Sequence, residues 1–165
     1  MFNKNKYQVC KNMISKELAD FVFNYLRMKK QTFYTLKRLG GDVRLLGTDG
    51  DPQAPGTYSC YSDIAMETLL TIIHGKLEKK TKLKLAPTYT YTRLYKNGDE
   101  LKKHKDRFSC EISATLNLGG DLWPIYLEDA NKKEVKVKLN PGDLLIYRGI
   151  ELPHWSKPFD GYMCG

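Results

Sequence analysis

The chain has 165 residues, 41% of them hydrophobic and 28% charged, with a formal net charge of +8. That balance is too apolar for a disordered chain and long enough for one core-forming domain. No apolar run is long enough to cross a bilayer and "MFNKNKYQVC" lacks a signal core, so a cytoplasmic chain with reduced thiols and no membrane partner is expected. None of Cys10, Cys60, Cys110 and Cys164 sits in a C-x-x-C pair, which leaves a structural zinc knuckle unsupported. The lysines are scattered, at Lys79, Lys80, Lys82 and Lys84, at Lys102, Lys103 and Lys105, and at Lys132, Lys133, Lys136 and Lys138. They read either as solvated faces or as a surface for an anionic partner, an acidic protein or nucleic acid. With no Arg-rich tract and no RNA-binding aromatic motif, nucleic acid is the weaker of the two.

In chain order, "ISKELADFVFNYLRMKK" is an amphipathic helix capped by Ser15, with Leu18, Phe21, Val22, Tyr25 and Leu26 on one face. A short strand is expected over "QTFYTLKRL". The Gly-, Asp- and Pro-rich stretch from Gly40 to Thr57 is long for a connection and reads as a lid or a loose loop. "SDIAMETLLTIIHGKLEKK" is a second helix, with Ser62 as cap and Ile64, Leu69, Ile72, Ile73 and Leu77 apolar. Its His74 has no partner in the pattern and reads as structural. From residue 84 the period becomes two: "KLAPTYTYTRLYK", "CEISATLNLGG", "LWPIYLED", "EVKVKLN" and "LLIYRG" are strands separated by polar turns, and "ELPHWSKPF" follows. Helices followed by a run of strands predict an α+β protein whose strands close into a two-sheet sandwich or jelly roll.

Three candidate metal ligands lie at strand ends: His104, Asp106 and His154. In extended backbone, residues i and i+2 share a face, so His104 and Asp106 can point at one centre while Lys103, Lys105 and Arg107 turn away. Two imidazoles and one carboxylate leave positions open on an octahedral ion, the arrangement of non-haem Fe(II) oxygenases. On spacing alone, a charged surface hairpin plus a core histidine beside Trp155 explains the same residues. Trp123 and Trp155 read as wall or core, with Trp155 placed to shield the site.

The surrounding motifs decide more. "TYTYTRLYKNGDELKKHKDR", "SCEISATLNLGG", "DLWPIYL", "LNPGDLLIYRG" and "ELPHW", in that order over residues 84–159, resemble the prolyl-4-hydroxylase-like Fe(II)/2-oxoglutarate dioxygenases, with Tyr95, Gly98, His104 and Asp106 in the family's register. The resemblance implies a double-stranded β-helix with the N-terminal helices packed on one sheet. Residues 1–83 would give helical support and the lid, and residues 84–165 the jelly-roll core with a short or missing last strand. It implies Fe(II) held by His104, Asp106 and His154, with 2-oxoglutarate and O2 as co-substrates and ascorbate as reductant. The reaction would hydroxylate a C–H, most naturally of a prolyl residue in a peptide or protein, acidic if the nearby lysines matter, and release succinate and CO2. Tyr95 would bond the far carboxylate of 2-oxoglutarate. The family's basic anchor after the distal histidine is absent from "GYMCG", and Arg148 is the first replacement, ahead of Arg107 and Lys157. A non-catalytic jelly-roll module, or the same chemistry on a nucleobase, are the competing readings.

Overall fold

A computed structural model describes residues 2–165. Three helices, α1 (Phe2–Asn5), α2 (Lys16–Arg38) and α3 (Ile64–Thr81), precede or interleave ten strands. The strands are β1 (Tyr7–Cys10), β2 (Tyr58–Tyr61), β3 (Tyr91–Lys96), β4 (Leu101–His104), β5 (Ser113–Leu116), β6 (Ile125–Glu128), β7 (Glu134–Val137), β8 (Leu144–Tyr147), β9 (His154–Ser156) and β10 (Met163–Cys164). All pairings are antiparallel, in the orders β1-β8-β5, β10-β3-β2 and β4-β9-β6-β7.

Two apolar cores separate three layers. In the first, Val22, Leu26 and Phe33 of α2 and Met66, Leu69, Ile73 and Leu77 of α3 pack on Tyr58, Leu94, Leu144 and Ile146. The second lies between sheets and joins Leu145 and Tyr147 to Ile125, Leu127, Val137 and Leu152. Strand alternation makes this possible, since Leu144 and Ile146 face the helices while Leu145 and Tyr147 face the opposing sheet. Both faces being covered, β8 is buried throughout, which explains its run of uninterrupted apolar residues.

Several local expectations change. α2 does not give way to a strand at residue 31. Phe33 lies one heptad beyond Leu26 and is buried against Tyr58, with ring centroids 5.4 Å apart, so packing keeps the β-prone "QTFYT" helical. The buried face of α2 runs through Ala19 instead of Phe21, which is exposed. Ser15 caps α2 as expected, accepting from Leu18 N. The cap of α3 is Asp63, not Ser62, because the carboxylate reaches both Ala65 N and Met66 N. Ile64 and Ile72 are exposed. His74 is structural, its Nε2 2.8 Å from the Leu85 carbonyl. The N-terminal strand β1, not foreseen, caps β8 and covers Tyr147.

The segment from Gly40 to Thr57 is held in place. Thr48 and Ser59 exchange backbone hydrogen bonds of 2.8 Å, and Tyr58 Oη donates to the Leu46 carbonyl. The buried Asp51 accepts from Arg93 Nε at 2.5 Å and from Tyr91 Oη at 3.0 Å. A loop tied to β3 by a buried ion pair is a wall, whether or not it also moves.

Candidate metal centre

β4 and β9 bring the two histidines together. Leu101 pairs with Ser156, yet His104 pairs with His154, so β4 carries one residue more than β9 over that interval. This bulge decides the site. A regular ladder from Leu101–Ser156 would set Lys103 opposite His154 and turn His104 outward. With the extra residue, Lys103 points out, ion-paired to Glu128 at 2.5 Å and lying over the Trp155 ring. The imidazoles of His104 and His154 face each other with centroids 4.3 Å apart. Asp106 follows, its N–H donating to the Gly149 carbonyl at 3.0 Å.

The donor atoms of His104, Asp106 and His154 all lie within 4.8 Å of one another. Asp106 Oδ1 is 3.5 Å from His154 Nε2 and 3.9 Å from His104 Nε2. Each ring is oriented by its own backbone: His104 Nδ1 is 2.7 Å from the Lys102 carbonyl and His154 Nδ1 is 3.0 Å from the Leu152 carbonyl. A carbonyl can only accept, so both Nδ1 atoms carry the proton and both Nε2 lone pairs are free to face the centre. Ser113 Oγ donates to Asp106 Oδ2 at 2.5 Å, which leaves Oδ1 for a cation. Burial pushes the His104 pKa down, against the pull of the Lys102 carbonyl. Burial would raise that of Asp106, but the neighbouring His154 and the hydrogen bond from Ser113 outweigh it and hold the carboxyl below its ordinary value. The set is therefore neutral imidazole, neutral imidazole and carboxylate, which fits a divalent cation of Fe(II) type with positions to spare.

The walls are aromatic and hydroxylic. Tyr147 packs edge-on to His154 with centroids 4.7 Å apart, and its Oη lies 3.2 Å from Thr115 Oγ1. Tyr95 stacks edge-on to Trp123 at 4.6 Å and accepts from Arg93 Nη1 at 3.2 Å. Burial pushes the Tyr95 and Tyr147 hydroxyls up, so both stay protonated. A cavity of about 620 Å³ opens beside His104, between Pro52–Pro55 of the tethered loop and the β3–β4 hairpin with Lys96, Asp99 and Lys102.

The other sequence candidates fall elsewhere. Arg148 follows Tyr147 at the strand end and so leaves on the opposite side. It pairs with Glu111 at 2.8 Å and with Glu151 at 3.4 Å. Arg107 lies over the Tyr89 ring, and the exposed Lys157 covers Tyr126 and pairs with Glu134. Trp155 stacks with Tyr126 on the far side of β9 from His154 and does not shield the centre. Sequence reasoning missed four supports. Ser113 and the carbonyls of Lys102 and Leu152 carry no motif. Gly149 could have been noticed as the glycine after "IYR": a Cβ there would lie 2.2 Å from Asp106 Oδ2.

No family model matches the sequence, and no curated protein does. Solved structures do match. A prolyl-4-hydroxylase of Pseudomonas putida superposes with a TM-score of 0.74 at 15% identity, over 99% of this chain and 90% of the other. The viral collagen prolyl hydroxylase of Paramecium Bursaria Chlorella virus-1, in its 2OG complex, gives 0.65 at 12% identity, over 98% and 93%. OsALKBH1 gives 0.54 at 16%, over 93% and 85%. The chain shares one fold with two prolyl hydroxylases and OsALKBH1 along nearly its whole length, and His104, Asp106 and His154 meet inside that fold.

Proposed function

We propose that the protein is an Fe(II)- and 2-oxoglutarate-dependent dioxygenase built on a double-stranded β-helix, with a prolyl residue of a peptide or protein as its substrate class. The observation that carries this reading is the donor set: two Nε2 lone pairs and one carboxylate oxygen within 4.8 Å, each pre-oriented by a hydrogen bond at its other end. The fold shared with two prolyl hydroxylases supports it, one of them solved with 2OG. When bound, Fe(II) would supply O2 activation coupled to oxidative decarboxylation of 2-oxoglutarate. The chain's own residues do the rest. His104, Asp106 and His154 would hold the ion on one side and leave the other to co-substrates. Lys102, Leu152 and Ser113 fix the three ligands before anything binds, so no reorganisation is needed on loading. Tyr147, packed against His154, keeps water from the buried side.

The cavity between the tethered loop and the β3–β4 hairpin is the substrate's place in this reading. It reaches His104, and its wall mixes Pro52, Ala54 and Pro55 with Lys96, Asp99, Glu100 and Lys102, a mixed apolar and polar surface suited to an extended peptide. Ascorbate would serve as reductant. A reducing cytoplasm suits the four free cysteines, and among the described residues no helix is long and apolar enough to cross a membrane.

Anaerobic addition of Fe(II) and then 2-oxoglutarate is expected to give the weak visible charge-transfer band of the chelate, lost in His104→Ala. Bound iron without a band would leave a metal-binding module and end the dioxygenase reading.

A further inference from the structure

One cation near the candidate centre, Arg93, is largely withdrawn from solvent. Arg93 lies on β3 two residues before Tyr95, so the two share a face, while Leu94 between them points into the helix core. The Arg93 side chain is only 14% exposed. Its fork is divided: Nε donates to Asp51 at 2.5 Å, Nη2 to Gln53 Oε1 at 2.6 Å, and Nη1 to Tyr95 Oη at 3.2 Å. A guanidinium has five N–H groups. Three are used, and the two that remain are on Nη1 and Nη2, the ends that reach past Asp51. The basic residues weighed from the sequence, Arg148, Arg107 and Lys157, lie against Glu111 and Glu151, Tyr89, and Glu134 and Tyr126. Arg93 is the cation that shares a wall with Tyr95.

Resting on the dioxygenase reading, we propose that Arg93, with the Tyr95 hydroxyl, receives the far carboxylate of a five-carbon 2-oxo dicarboxylate. The anchor thus comes from β3, before the first histidine in sequence, and not from the strand after the last. Asp51 and Gln53 hold the guanidinium by one edge, which pre-orients it and leaves the other edge for the ligand. The same two loop residues flank or line the substrate cavity.

The test uses the full chain loaded with Mn(II), kept anaerobic, and calorimetric titration with 2-oxoglutarate and with 2-oxobutyrate, which lacks the far carboxylate. The unaltered protein is expected to prefer 2-oxoglutarate by about tenfold or more, the worth of one charge-assisted pair. Arg93→Gln should erase the preference, Arg93→Lys should restore part of it, and Arg148→Gln should leave it whole, with Mn(II) affinity constant throughout. A preference that survives Arg93→Gln, or one that vanishes in Arg148→Gln, overturns the assignment. Equal binding of the two acids by the unaltered protein overturns it too, while leaving the dioxygenase reading standing. No binding of either acid overturns both. Should Arg93→Gln fail to fold, a crystal structure of the Mn(II) protein with 2-oxoglutarate decides without any variant. The far carboxylate on Arg93 and Tyr95 upholds the assignment, and its seat on any other cation ends it.

Discussion

Asp63 is buried and Asp106 half-buried, both are held ionised below the ordinary range, and they differ in how their oxygens are used. Asp63 is closed. Its Oδ1 accepts from Ala65 N and Met66 N, and its Oδ2 from Tyr25 Oη at 2.9 Å and from Lys29. Four donors for four lone-pair sites leave nothing to bind. Asp106 is open: Ser113 satisfies Oδ2, and Oδ1 faces two imidazole nitrogens at 3.5 and 3.9 Å whose protons are committed to carbonyls on their far sides. A closed cluster stabilises helices. An open one gives up stability for a set of donors that a cation of the right charge can join.

Removing each acid in turn should separate the two roles. Asp106→Ala is expected to abolish divalent-metal binding in Mn(II) titration while the melting temperature holds or rises, because two neutral imidazoles remain without an uncompensated charge. Asp63→Ala should do the reverse. It strands the half-buried Lys29 and uncaps α3, a loss of about 3–5 kcal/mol in denaturant unfolding, with metal affinity kept in the folded fraction. Gly149→Ala tests the support of the open cluster. The added methyl must displace Asp106 Oδ2 or Ser113 Oγ, and metal affinity is expected to fall by roughly 10–100-fold, as for loss of a group that orients a ligand. The smallest effect is in acid. The Asp63 pKa is lowered in the folded state: burial alone would raise it, but the bonds from Lys29 and Tyr25 prevail. Its contribution is therefore complete above the unfolded value near pH 4 and is lost as pH falls through the lower folded value. Asp63→Asn should flatten the fall of stability below about pH 4, and an unchanged slope would remove Asp63 from the acid transition.

The sequence made the ligands legible and their supports illegible, for a physical reason. His104, Asp106 and His154 stand out because few side chains can bind a metal, and Tyr95 and Gly98 keep the register of the family that the sequence resembles. What aims them is main chain and contact. The bulge in β4 exists only relative to β9, and Gly149 matters only because Asp106 comes to rest on it. Alternation within "HKD" neither places His104 opposite His154 nor turns Lys103 outward; the extra residue does both. Helix propensity and strand propensity competed over "QTFYT", and a single buried ring, Phe33, settled the matter. Arg93 sits in plain view in "YTRLY", yet nothing in a strand pattern says which cation faces a cavity and which faces solvent.

The two histidines take their tautomers from carbonyls two residues earlier in the chain, Lys102 within β4 and Leu152 in the turn before β9. A carbonyl is supplied by every residue type, so substitution at either position leaves the acceptor in place. The orientation of the imidazoles is thus inherited with the path of the backbone and is shielded from drift in side-chain identity. A lineage can rewrite most of the surrounding sequence and still pass on rings that point the same way.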